Sequence, residues 1–273
     1  MWPQLLISHV TLGESLNPHF IKINFGMFPG VVDGQFLPKH PEELLAAGEF
    51  NHVPSIISVN NHECGWMIPA GHIANTYQRS DLNASLSDSR SSGFPPEIMH
   101  LMMKEYLRDT EDPGEFRAQF QDMMGDLMFV IPALKVAKYQ HSDSPVYFYE
   151  FQHQPSIFKD VKPDFVKADH GDEIHFVFGI FLFLFLDLGE ATEEEKLLSH
   201  RIMSYWANFA RHGDPNGADL IHWPVYDQKE EYLQLNLQLS VGKSLRKDKW
   251  KFWTKTLPEK MKQSQPENAR VEL

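Results

Sequence analysis

Two short segments of the sequence carry side chains suited to acid–base chemistry. The first is Asn60-Asn61-His62-Glu63-Cys64-Gly65-Trp66, where Glu63 follows the apolar, β-branched run Val53–Val59 by four residues. Catalytic groups and ligands in α/β proteins gather at the carboxyl ends of strands, so a carboxylate at Glu63 is well placed for chemistry. A merely solvated carboxylate is the competing reading. The second segment is Ala168-Asp169-His170-Gly171-Asp172-Glu173, a loop that follows the run Val146–Phe151. Imidazole is the one side chain whose ordinary pKa suits a general base near neutral pH. Gly171 lets backbone and substrate approach closely. The chain has 14 histidines, so a solvated loop histidine competes with this reading too.

Other chemistries fit poorly. Cys64 is the only cysteine, which excludes internal disulfides and cysteine-rich zinc sites. There is no H-E-x-x-H, G-x-G-x-x-G or P-loop segment, and His62 and His72 lack a ligand spacing. Asp169, Asp172 and Glu173 could hold a cation, yet they do not complete the oxygen cage that calcium needs. Metal chemistry and nucleotide cofactors therefore lack support.

The elements that must position Glu63 and His170 can be read from pattern. Val53–Val59 is a core strand emptying into a turn at Asn60-Asn61, and Val146–Phe151 is the strongest strand in the chain. Turns with a short extended piece are expected over 29–38. A short helix follows from Pro41, and further helices cover about 96–107, 114–124 and 127–140, the last interrupted or started near Pro132. Thr76–Pro96 is serine-rich and reads as a loop. Thr192-Glu193-Glu194-Glu195 is a capping box that opens a helix stopped by Gly213. Residues 232–237 alternate like a half-buried strand, 249–257 suit a closing helix, and the tail beyond Pro258 is expected to fray. Strands separated by long helical stretches make an α/β protein with a largely parallel sheet.

The 273 residues are 42% hydrophobic and 23% charged, enough to bury a core. A net charge of −12 argues against nucleic acid or an anionic membrane as main partner. The longest apolar run, Phe176–Leu186, has 11 residues. A spanning helix needs about 18 or more, so a buried strand or helix segment, or the wall of an apolar cavity, is the better reading. Met1–His9 has no basic region and too short an apolar run for a signal peptide.

From about Met27 to Leu273 the chain resembles the type-B carboxylesterases, a family of α/β-hydrolases. The resemblance rests on 29–38 (PGVVDGQFLP), 53–69 (VPSIISVNNHECGWMIP) and 126–133 (DLMFVIPA). It continues at 145–156 (PVYFYEFQHQPS), 168–173 (ADHGDE) and 205–217 (YWANFARHGDPNG). It implies the C-terminal part of an α/β-hydrolase fold, a mostly parallel sheet flanked by helices and incomplete. Residues 1–26 are then a divergent segment, 27–258 the carboxylesterase part and 259–273 a tail.

The family's triad runs Ser…Glu…His in chain order, which places the acid at Glu63 and the base at His170. The implied substrate is a small-molecule carboxylic ester, opened through an acyl-enzyme without a cofactor. The family's nucleophile segment, G-E-S-A-G, is absent from these 273 residues. Gly13-Glu14-Ser15-Leu16-Asn17 imitates it, but Asn17 replaces the second glycine, no strand run precedes it, and Ser15 stands too close to Glu63. Ser15 is therefore read as accidental, and the chain as inactive alone. Cys64 replaces an aromatic residue of the family and is read as a small hydrophobe.

Luminal relatives end in H-x-E-L, so Arg270-Val271-Glu272-Leu273 reads as a retention variant for a KDEL-type receptor. Asn83-Ala84-Ser85 is a glycosylation sequon, and the implied location is the endoplasmic reticulum lumen or outside the cell. The alternative is a non-catalytic binding or adhesion protein of the same superfamily. Retention of both Glu63 and His170 argues against it.

Overall fold

The structure is a computed structural model that describes residues 31–65, 96–107, 112–159, 162, 165–180 and 191–264. In chain order its elements begin with α1 (Pro41–Ala46), β1 (Ser55–Asn60), α2 (Pro96–Tyr106) and α3 (Pro113–Gly125). A π-helical turn, Asp126–Val130, leads into α4 (Ile131–Gln140), followed by β2 (Val146–Phe151), α5 (Ile174–Val177) and α6 (Glu193–His212). Next come β3 (Glu231–Leu235), β4 (Ser240–Lys243) and α7 (Lys247–Lys251). A second π turn, Phe252–Thr256, runs into α8 (Leu257–Ser264).

The sheet order is β1-β2-β3-β4. β1 and β2 are parallel with Ser55 opposite Val146, and β2 and β3 are parallel with Tyr149 opposite Leu233. β4 closes the far side antiparallel to β3. Alternation along β2 sends Val146 and Phe148 to one face and Tyr147, Tyr149 and Phe151 to the other. On the first face they pack with Ile57, Val59, Leu134 and Ala137, beneath α4. On the second they pack with Leu198, Ile202, Tyr205 and Trp223, beneath α6. The crossovers β1→β2 and β2→β3 thus cover opposite faces, as a parallel sheet buried on both sides requires. A third cluster joins α2 and α3 to Phe252, Trp253 and Leu257 near the C-terminus.

The expected capping box is complete. Glu195 N–H donates to Thr192 Oγ1, Thr192 N–H donates to Glu195 Oε2, and Gly213 ends α6 in the left-handed region at φ 72°. The helix expected to start near Pro132 does so: the π turn Asp126–Val130 runs into α4 with Pro132 in the first α turn, where a missing N–H costs little. Pro258 likewise opens a helix, so helical structure reaches Ser264 where a frayed tail was expected. Leu257, 4% exposed, anchors it to the third cluster. The turn expected within 29–38 is present, made by the Asp33 carboxylate accepting the N–H groups of Gln35, Phe36 and Leu37.

In the apolar run 176–186, Phe176 and Val177 belong to the short helix α5, with Phe176 fully buried. Residues 181–186 lie outside the described residues. So do Ser15, Asn83, all of the serine-rich stretch but Pro96, and residues 265–273. Among the described residues no helix is long and apolar enough to cross a membrane.

Candidate active site

β1 ends at Asn60, and the turn that follows carries Glu63 three residues beyond it, at the carboxyl edge of the sheet. His170 comes to the same place from the loop between β2 and α5. Glu63 Oε2 lies 2.7 Å from His170 Nδ1, across 107 residues of sequence. The other carboxylate oxygen, Oε1, accepts the Asn60 N–H at 2.5 Å. Both oxygens are thus engaged, and the carboxylate is held in one orientation.

The two partners sit in unlike surroundings. Glu63 is 5% exposed, whereas half of the His170 side chain, 51%, is open. Burial raises the Glu63 pKa, opposed by the hydrogen bond and charge of His170 and by the Asn60 N–H. The His170 pKa is raised, chiefly by its hydrogen bond to Glu63, with burial opposing. The carboxylates of Glu63, Glu173 and Asp169 all favour the imidazolium. With Nδ1 bound to Glu63, Nε2 is the nitrogen left to exchange a proton with a substrate or nucleophile. Phe129, carried by the first π turn, lies against the imidazole with ring centroids 4.5 Å apart and a 36° tilt.

The two loops are sewn together by the residues flanking Glu63 and His170. His62 N–H donates to Ala168 O at 2.9 Å, and Ala168 N–H donates to Asn61 Oδ1 at 3.1 Å. Lys167 N–H reaches His62 Nδ1 at 3.3 Å. Asn60 Nδ2 donates to Asp169 O at 2.6 Å and to Glu173 Oε2 at 2.5 Å. Gly65 sits where a Cβ would collide with Val166 Cγ1 and stand 2.9 Å from Asp169 Cγ, so only glycine lets the loops come this close. Gly171, at φ 87°, turns the chain directly after His170.

The cation reading of Asp169, Asp172 and Glu173 is displaced by the protein's own ammonium group. Lys162 Nζ lies 2.7 and 2.8 Å from the Asp172 carboxylate oxygens and 3.5 Å from Asp169 Oδ2. Asp172 Oδ2 also accepts the Asp169 N–H at 2.8 Å, which shapes the histidine turn. Among the described residues no cluster of His, Cys, Asp or Glu could hold a metal ion. Cys64 is 1% exposed, and burial pushes its thiol pKa well up, so it packs as a small apolar group and not as a thiolate.

Asn60, Phe129 and Lys162 escaped the reading of the sequence. For Asn60 a signal existed, since a strand-terminal Asn-Asn pair precedes the acid. Phe129 and Lys162 reach the site only through the fold.

Residues 11–253 match the model of the carboxylesterase family. The chain is 55% identical over 245 residues to acylcarnitine hydrolase of Mus musculus, covering 88% of this chain and 43% of that protein. It is 53% identical over 256 residues to pyrethroid hydrolase Ces2a of Mus musculus, covering 90% and 45%. To cocaine esterase of Homo sapiens it is 51% identical over 255 residues, covering 91% and 45%. The chain spans less than half the length of these relatives. On the match of residues 11–253 and these identities, the chain belongs to the carboxylesterase family, whose fold is the α/β-hydrolase fold.

Proposed function

We propose that this chain supplies the acid and the base of a serine-type carboxylic ester hydrolase. The observation that carries the reading is the 2.7 Å contact between the buried Glu63 carboxylate and Nδ1 of the half-exposed His170, which leaves Nε2 as the nitrogen not engaged by Glu63. In the reaction, a serine Oγ attacks the ester carbonyl carbon while His170 Nε2 takes its proton, and Glu63 holds and stabilises the imidazolium. His170 then returns the proton to the alkoxide as the C–O bond breaks, leaving an acyl-enzyme. Water, deprotonated by the same imidazole, attacks the acyl carbon; the C–Oγ bond breaks, the imidazolium returns its proton to the serine oxygen, and the carboxylic acid is released.

No G-x-S-x-G segment occurs in the 273 residues, so the attacking serine and the oxyanion donors must come from another polypeptide segment. The names of the relatives mention acylcarnitine, pyrethroids and cocaine. These are carboxylic esters of differing bulk, which supports an ester substrate of the same class here. Placement in the endoplasmic reticulum lumen or outside the cell belongs to the same proposal. The Asn83 sequon and the retention reading of residues 270–273 go with it.

Loss of the nucleophile from such a triad costs about a million-fold in turnover. The purified chain is therefore expected to take no label from a fluorophosphonate probe. Labelling at Ser15 that disappears in His170→Ala would reveal a working nucleophile and overturn this reading.

A further inference from the structure

We propose that Asn60 is a positioning residue of this acid–base pair, its backbone fixing the acid while its carboxamide clamps the loop that carries the base. The proposal rests on the acid–base reading of Glu63 and His170 given above. Asn60 is the last residue of β1 and is 3% exposed. Its N–H binds Glu63 Oε1 at 2.5 Å, so strand and acid are locked together. Its two amide hydrogens are both spent across the gap, on Asp169 O at 2.6 Å and Glu173 Oε2 at 2.5 Å. Those acceptors belong to the residue immediately before His170 and the third residue after it.

A single side chain therefore spans the turn on which the imidazole stands and ties it to the strand that holds the carboxylate. The neighbouring links, from Ala168 to Asn61 and His62, fix the start of the loop. Lys162 Nζ also reaches both sides of His170, on Asp169 and Asp172, but it comes from the same loop, whereas the Asn60 carboxamide ties both sides to β1. Buried amide donors left without acceptors are costly, so these contacts hold firmly. Such outer partners commonly set the orientation of a working imidazole. The clamp also holds the Glu173 carboxylate in place, one of three carboxylates, with Glu63 and Asp169, that act on His170.

The test follows the neutral fraction of His170 in the full chain. Its rate of acylation by diethyl pyrocarbonate is read from the His170 peptide by mass spectrometry, from about pH 5 to about pH 9. The half-open side chain admits the reagent. Glu63→Gln is expected to lower the midpoint by about one unit or more, and Asn60→Ala, which keeps its backbone N–H on Glu63, by about half a unit. The other histidine peptides should react as before. Should Asn60→Ala lose the fluorescence of the buried Trp223, Asn60→Ser replaces it, with a donor too short for both acceptors and the same direction expected. An unshifted midpoint in a folded Asn60 variant, with Glu63→Gln shifted, overturns the clamp alone. If Glu63→Gln is unshifted as well, the acid–base reading itself falls.

Discussion

In the proposed reaction Glu63 and His170 divide the labour of proton transfer by their surroundings. The acid is sealed in and held at both oxygens, while the base keeps one face to solvent. His62, one residue before the acid, has the opposite character to His170. Burial pushes its pKa down to about 4, helped by the charges of Lys167 and Arg246 and opposed by Asp122. An unfolded imidazole titrates near about 6.5, so between there and about 4 the unfolded chain binds a proton that the folded chain refuses, and stability falls as pH falls through that window. His62→Gln is expected to flatten this acid limb. Urea midpoints compared near neutrality and at about pH 5 should differ less in the variant than in the parent, and an equal drop in both would remove His62 as the cause. Both site residues were legible as candidates, because a carboxylate and an imidazole past strand ends are local features. Their meeting was not, since it depends on a contact across 107 residues.

At the scale of elements, the legible features were those written in a few adjacent residues. The capping box at Thr192, the Gly213 stop and the alternation of β2 needed no tertiary contact to announce themselves. β4 was missed because Ser240–Lys243 is largely exposed and has no apolar alternation; it forms through its ladder to β3. The π turns were missed for a similar reason, since packing and not sequence period sets them. The first of these turns begins at the fully buried Asp126, whose Oδ2 accepts the Tyr106 O–H at 2.6 Å. The Tyr106 hydroxyl in turn accepts the Trp253 Nε1–H at 2.5 Å, and Arg246 Nε stands 2.9 Å from Asp126 Oδ1. This chain of bonds ties α2, the first π turn and the C-terminal helices together, and so supports the element that carries Phe129 to His170. Tyr106→Phe would strip one partner from each of two buried groups. A loss of about 1–3 kcal/mol is expected from denaturant unfolding, and no measurable change would show the relay to be energetically idle.

On the scale of the whole molecule, the order β1-β2-β3-β4 puts the strand that carries the acid at an edge among the described residues. A parallel sheet is stable when covered and paired on both sides, and an open strand invites pairing with another chain. The relatives are more than twice as long as the matched region. In the proposed reading, the side of β1 left unpaired among the described residues is where a nucleophile-bearing segment would continue the sheet and bring a serine to His170. The measurement that bears most directly on this is hydrolysis of a chromogenic carboxylic ester by the purified chain, alone and mixed with the N-terminal half of mouse acylcarnitine hydrolase. Expected is no turnover from either piece and clear turnover from the mixture, abolished by His170→Ala and strongly reduced by Glu63→Gln. Turnover by the chain alone, or turnover of the mixture that survives His170→Ala, would contradict the assignment of Glu63 and His170 as the acid and base of an ester hydrolase awaiting its serine.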